Sequence, residues 1–125
     1  MPLVRISTIK GAGPDGRKVG DIVYRAMVDT INVPEQDNFH IVTEHEPGDL
    51  VYDPAYLGIE RSDGIVVIEV TLNQGRTTEL KQAFYATVAQ RLHERLGVRP
   101  QDVFISLTEV AKENWSFGNG EAQYA

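Results

Sequence analysis

The residues that this chain lacks narrow the chemistry open to it. The sequence has 125 residues with no cysteine and three histidines. It therefore cannot hold a disulfide, a thiolate zinc site or a cysteine nucleophile. His40 and His45 are five residues apart on a predicted strand and so face opposite sides, and His93 lies on a predicted helix. We expect neither a metal site nor a cofactor.

The second residue offers a titratable group that is independent of side chains. Initiator methionine is normally removed before proline, and removal of Met1 would turn the Pro2 nitrogen into a secondary amine. A free α-amino group has a pKa of about 7.7–8.0. Apolar burial or a nearby arginine lowers that pKa, and a nearby carboxylate raises it. Pro2 is thus a candidate general base or general acid, although proline is also structurally acceptable at the start of a strand.

Arg76 is a candidate anion-binding residue. It lies between a predicted buried strand and the predicted start of a helix. The guanidinium and the free N–H groups of a first helical turn can bind one carboxylate together. An exposed loop arginine with no ligand is the alternative interpretation, and the sequence pattern leaves both open.

Alternating strands and helices must position these residues. The pattern predicts strand, helix, strand, an irregular loop, and then the same three elements again. Predicted elements span residues 2–9, 14–31, 38–46, 65–72, 77–96 and 103–110. Pro14 is predicted to open the first helix, Thr77 or Thr78 to cap the second, and Gly97 to end it. Tyr52, Tyr56 and Leu57 are predicted packing anchors of the loop.

The two halves of the chain resemble each other in sequence. Residues 33–44 and 98–109 (VPEQDNFHIVTE and VRPQDVFISLTE) are identical at six of twelve positions. We interpret this as a duplicated β-α-β unit, with pseudo-repeats at about 2–46 and 65–110 inside one domain of residues 1–125. Chance similarity between two helix-turn-strand joints is the alternative.

Charge and hydropathy exclude several classes of partner. The chain has 18 Asp and Glu residues against 12 Lys and Arg, for a formal net charge of −6. That balance argues against general affinity for nucleic acid or anionic membranes. No stretch approaches the roughly 20 apolar residues of a membrane span, and no signal-peptide pattern opens the chain. We expect a cytoplasmic protein.

Together these features resemble the tautomerase superfamily. The resemblance is carried by Met1-Pro2, the duplicated unit and the segment GRTTELK (residues 75–81). The stretches VPEQD (33–37), LGIER (57–61) and NWSFGNG (114–120) resemble the malonate semialdehyde decarboxylase branch in particular. This implies an α+β fold, in which duplicated β-α-β units form a four-stranded mixed sheet with two helices on one face. It also implies a homotrimer. The residues of the tail (114–120) themselves predict a short C-terminal hairpin or a turn with two aromatics.

The resemblance further implies roles for individual residues. Pro2 matches the catalytic amine, Asp37 an aspartate that orients water or substrate, and Arg76 the second of two arginines that bind the substrate carboxylate. The first arginine falls on Gln74, a departure that counts against decarboxylation. Three aromatic residues match those that wall the pocket: Trp115, Phe117 and Tyr124.

Three functions follow as hypotheses. The first is a tautomerase that uses Pro2 for keto–enol proton transfer on a small oxo-carboxylic acid. The second is a decarboxylase or hydratase of a 3-oxo acid, with a cationic proline as the acid. The third is a non-enzymatic binding module. Since the first half has Gly11-Ala12-Gly13 where the second has Gly75-Arg76-Thr77, we expect one competent site.

Overall fold

Two β-α-β units build one sheet in the computed structural model, which describes residues 2–125. The strands are β1 (Leu3–Ile9), β2 (Phe39–His45), β3 (Val66–Asn73) and β4 (Val103–Val110), and the helices are α1 (Gly16–Thr30) and α2 (Thr78–Leu96). Each bound lies within two residues of the sequence prediction. Three short 3₁₀ turns span Tyr56–Gly58, Pro100–Asp102 and Lys112–Asn114.

The sheet order places the start of the chain in the middle of the sheet. The order is β2-β1-β3-β4. Within each unit the two strands are parallel, and the units join through the antiparallel pair β1–β3, where Ile6 lies opposite Ile68. The predicted α+β class and mixed four-stranded sheet are confirmed.

One face of the sheet and both helices share a single core. Alternate residues of the central strands, among them Val4, Ile6 and Ile68, pack with residues from both helices, such as Val23 and Phe84. Burying a side chain of this kind contributes about 1.5–3 kcal/mol. Phe39, Ile41 and Phe104 on the opposite face stay about half exposed. Both helices therefore cover the same face, as predicted, and the other face is open.

Helix ends follow local capping chemistry. The Asp15 side chain accepts a hydrogen bond from Arg17 N at 3.0 Å and caps α1. Pro14 therefore precedes the cap, so the prediction that it opens the helix is wrong. Thr77 accepts from Leu80 N at 3.2 Å and is the cap of α2, and Gly97 ends that helix at φ 67°.

The predicted C-terminal hairpin is wrong, and the alternative prediction of a turn is confirmed. After β4 the described residues contain a 3₁₀ turn and tight turns but no further strand. The Gln123 side chain accepts a hydrogen bond from Phe117 N at 2.9 Å and donates one to Gly118 O at 2.8 Å. A side-chain amide thus bonds the backbone groups that a partner strand would pair, and Gly118 and Gly120 have positive φ.

Two of the predicted loop anchors are wrong as well. Tyr56 is 62% exposed and Leu57 is 77% exposed, whereas Tyr52 is half-buried and donates a hydrogen bond to Asp63 at 2.7 Å. The loop is instead held by Arg61, whose Nη1 donates to the carbonyls of residues 53, 56 and 59 at 3.1–3.3 Å. The sequence of the loop could not show that hydrogen bonds from Arg61 hold it in place of apolar packing.

A carboxylate on β4 fastens the turn between β3 and α2. Glu109 accepts a hydrogen bond from Lys81 Nζ at 2.6 Å and from Gly75 N at 3.3 Å. The Lys81 hydrogen bond, aided by the Gly75 N–H and by the charges of Lys81 and Arg76, holds the pKa of Glu109 below its ordinary value against an opposing effect of burial. The turn is therefore tied to the ionised form of Glu109.

Protonating Glu109 should loosen this turn. Because its folded pKa is lowered, the stabilisation is complete above the ordinary glutamate pKa of about 4.3 and is lost as pH falls through the lowered value. We expect Glu109→Gln to reduce the free energy of unfolding at pH 7, and its difference from wild type to shrink below about pH 4. Urea unfolding across pH measures both effects.

Glu46 provides the matched control. It pairs with Lys10 through side chains that are 68% and 64% exposed. Such pairs contribute little, so Glu46→Gln should leave the stability curve unchanged. Superimposable pH curves for wild type and Glu109→Gln would contradict the role of Glu109.

Candidate active site

Pro2 is buried at the end of the sheet where β3 finishes and β2 begins. Leu3 pairs with Phe39 in β2 and with Thr71 in β3. Continuing both registers by one residue places Pro2 between Asn38 and Leu72. The predicted removal of Met1 concerns a residue outside the described range and stays a prediction.

An apolar cavity lies against Pro2. It has a volume of about 240 Å³ and is lined by Pro2, Leu3, Phe39, Trp115, Ser116 and Phe117. The rings of Trp115 and Phe117 stack with centroids 5.4 Å apart and planes 19° apart. The structure therefore brings together three of the predicted site residues, Pro2, Trp115 and Phe117, around one small pocket.

Asp37 lies in the loop that leads into β2, next to the Pro2 end of the sheet. The residue is only 9% exposed. The preceding residue, Gln36, has φ 68° and donates its backbone N–H to the Tyr24 hydroxyl at 2.8 Å. Arg25 on α1 pairs with Glu35 at 3.1 Å. Helix α1 thus holds this loop from two sides, and sequence reasoning missed both contacts.

Arg76 is half-buried and does not point freely into water. Its Nε donates to Ile31 O at 3.0 Å, at the end of α1, and its Nη1 donates to Asn73 O at 2.9 Å. Its remaining nitrogen, Nη2, has no hydrogen-bond partner within residues 2–125. The two backbone bonds fix the plane of the guanidinium.

Asn73 connects the arginine turn to the aromatic wall, and it is not among the predicted site residues. Its backbone carbonyl accepts from Arg76, and its side-chain Oδ1 accepts from Trp115 Nε1 at 2.7 Å. A shift in the arginine turn would therefore move the indole that lines the Pro2 cavity. An amide directly after a buried strand was the available signal for this residue.

Not every predicted residue reaches the Pro2 cavity. Gln74 is exposed, and its backbone N–H donates to Val110 O at 3.0 Å. The rings of Tyr124 and Phe117 pack edge to face with centroids 4.9 Å apart. Tyr124 lines a neighbouring polar cavity with Asn73, Lys112 and Gln123. The lining of the Pro2 cavity includes neither of these residues, nor Asp37 or Arg76.

Residues 2–125 contain neither a metal-binding cluster nor a membrane-spanning helix. Within this range, no group of three or more His, Asp or Glu side chains is placed to hold a metal ion. None of the described helices combines the length and the apolar character needed to cross a bilayer.

Known proteins resemble this chain in sequence. Residues 37–118 match a family model described as tautomerase enzyme. The chain is 44% identical over 124 residues to the probable tautomerase YusQ of Bacillus subtilis (strain 168), which covers 98% of each chain.

Solved structures extend the likeness to the whole fold. FG41 malonate semialdehyde decarboxylase inhibited by 3-bromopropiolate is 39% identical, with a TM-score of 0.86 over 98% of this chain and 93% of that one. A fused 4-OT solved as a symmetric trimer shares the fold, at 23% identity and a TM-score of 0.76 over 98% of this chain and 97% of the other. Since the family model matches more than half of the chain and YusQ matches nearly all of it, this protein belongs to the tautomerase family.

Proposed function

We propose that this protein is a tautomerase that uses its amino-terminal proline to move a proton between the keto and enol forms of a small oxo-carboxylic acid. The observation that carries the proposal is the burial of Pro2 against a 240 Å³ apolar cavity walled by Trp115 and Phe117. Relatives named as probable tautomerases support it.

The cavity suits an amine that acts as a base. Once Met1 is removed, apolar walls disfavour the ammonium form and lower the pKa of the amine. The neutral nitrogen takes the proton from the enol oxygen, which becomes the keto oxygen. The resulting ammonium delivers the proton to the other carbon of the enol double bond. Negative charge develops on the oxygen during this exchange, so a fixed cation near that oxygen lowers the barrier to proton transfer.

Arg76 supplies that cation in our proposal. Its backbone hydrogen bonds fix the guanidinium before substrate arrives, which removes an ordering cost. Nη2 can then donate to the substrate carboxylate, and the exposed amide of Gln74 offers a neutral donor from the same turn.

A decarboxylase or hydratase is the second candidate. Asp37 is buried in the loop beside the Pro2 end of the sheet. A carboxylate near an amine raises the pKa of the amine. A cationic Pro2 would then act as an acid on a 3-oxo acid. The likeness to a malonate semialdehyde decarboxylase supports this candidate, whereas the neutral Gln74 in place of a guanidinium counts against it.

Replacing the proline tests the catalytic amine directly. We expect Pro2→Ala to lower kcat/KM for phenylenolpyruvate ketonisation by at least about a hundredfold, the ordinary contribution of a positioned acid or base. Intact-mass spectrometry must show that Met1 is removed from both proteins. Equal activity of the two proteins, or none in either, would refute the proposed mechanism.

The pH profile of the wild-type enzyme separates the two candidates. Ketonisation that rises with pH through one ionisation, and loses that step in Pro2→Ala, indicates a neutral base. Activity on a 3-oxo acid that falls through the same ionisation indicates a cationic acid.

Arg76→Lys keeps the charge but removes the planar guanidinium. We expect kcat/KM for carboxylate substrates to fall about ten- to a hundredfold, since a hydrogen bond to a charged group contributes about 1.5–3 kcal/mol. The methyl ester of the same substrate should be affected less, and this comparison measures the carboxylate contact itself.

Arg17→Lys is the matched control, because Arg17 is exposed on α1, away from the β3–α2 turn. Urea unfolding of each variant must accompany the kinetics, since Arg76 also satisfies two backbone carbonyls. An unchanged kcat/KM for the acid would return Arg76 to a purely structural role.

We also propose that the protein works as a homotrimer. Phe39 and Phe104 are about half exposed on the open face of the sheet, and Phe39 also lines the Pro2 cavity. A neighbouring copy on that face would cover this apolar surface and close the cavity. Sedimentation equilibrium should give three times the mass of one chain, and Phe104→Asp should shift the mass towards one chain. A monomeric wild type would contradict this proposal.

A further inference from the structure

We propose that the polar cavity beside the aromatic wall binds a carboxylate group through Lys112. This cavity has a volume of about 470 Å³ and is lined by Asn73, Lys112, Gln123 and Tyr124. It shares a wall with the Pro2 cavity. The rings of Tyr124 and Phe117 pack edge to face, and Asn73 bonds Trp115, so residues that line the two cavities contact each other.

The orientation of the Asn73 amide is fixed by Trp115. An indole N–H can only donate a hydrogen bond. The amide oxygen must therefore face Trp115 Nε1, at 2.7 Å. The amide nitrogen is turned away from the indole as a consequence, and it has no hydrogen-bond partner within residues 2–125. Asn73 thus presents donors, and not its oxygen, on the side away from Trp115.

Gln123 builds the wall of the cavity. Its oxygen accepts from Phe117 N at 2.9 Å and its nitrogen donates to Gly118 O at 2.8 Å. These two bonds hold the turn that carries Phe117 and keep Tyr124 beside it. The acceptor of Gln123 is already occupied, so it does not oppose an anion in the cavity.

The residues that line the cavity carry a donor set with one positive charge. These donors are the ammonium of Lys112, the amide nitrogen of Asn73 and the hydroxyl of Tyr124. Lys112 has no ion pair within residues 2–125, and none of the cavity-lining residues is acidic. Charge-assisted hydrogen bonds from such a set suit a carboxylate.

Two sources could supply this carboxylate. The backbone of Asn73 bonds Arg76 while its side chain lines the Lys112 cavity, so two cations flank one residue. A dicarboxylic oxo acid could place one carboxylate near each cation, and this source rests on the proposed function. A separate small carboxylate ligand is the other source and does not depend on the proposed function.

The single tryptophan of the chain gives a direct measurement. We would titrate the protein with malonate at constant ionic strength and follow Trp115 fluorescence and heat of binding. We expect saturable binding to wild type and a dissociation constant at least about tenfold larger in Lys112→Met. Lys18→Met, a matched change at an exposed lysine on α1, should bind like wild type.

A second variant tests the donor set. Asn73→Asp keeps the oxygen that accepts from Trp115 but replaces the amide donors with a negative charge, so malonate binding should be lost. Wild-type affinity in Lys112→Met, or no heat of binding in the wild type, would overturn the proposal.

Kinetics then identify the source. If Lys112→Met raises KM for a dicarboxylic 2-oxo acid such as oxaloacetate, but not for phenylenolpyruvate, the carboxylate belongs to the substrate. If it abolishes malonate binding and leaves both KM values unchanged, the site serves a separate ligand. A wild type with no tautomerase activity would refute the proposed function, and the malonate titration would still decide this inference.

Discussion

The central position of β1 is the constraint on which the rest of the structure depends. Because β1 pairs with β2 on one side and β3 on the other, the chain starts inside the sheet. Residues near a chain end are ordinarily solvated and mobile, yet Pro2 is buried. Its backbone position is set by two strand registers, and the apolar cavity beside it follows from the elements that end at the same edge.

Asn73 links three parts of that edge. It is the last residue of β3, its backbone carbonyl accepts from Arg76, and its side chain accepts from Trp115. The strand end therefore sets the positions of the cation and of the aromatic wall together. Networks of this kind hold functional groups more precisely than separate loops do.

The sequence predicts the regular elements well because their signals are local. The spacing of apolar residues and the capping chemistry of Thr77 and Gly97 placed every helix and strand within two residues. The prediction of a C-terminal hairpin failed because hydrogen bonds of the Gln123 amide take the place of strand pairing. Such a contact has no local signature in the sequence. The bonds of Arg76 to Ile31 and Asn73 were equally invisible, since one partner is 45 residues away.

The same constraint explains why one chain should hold one site. Asp102 corresponds to Asp37 under the duplication that we infer, and it is also buried. In the second half, however, the chain runs on before β3, and Ser62 donates both its N–H and its hydroxyl to Asp102 at 2.7 Å. Asp102 is thus hydrogen-bonded by its own chain, which favours the single site of the proposed function. Duplication can copy a strand and an aspartate, but it cannot copy the amino terminus on which that proposal depends.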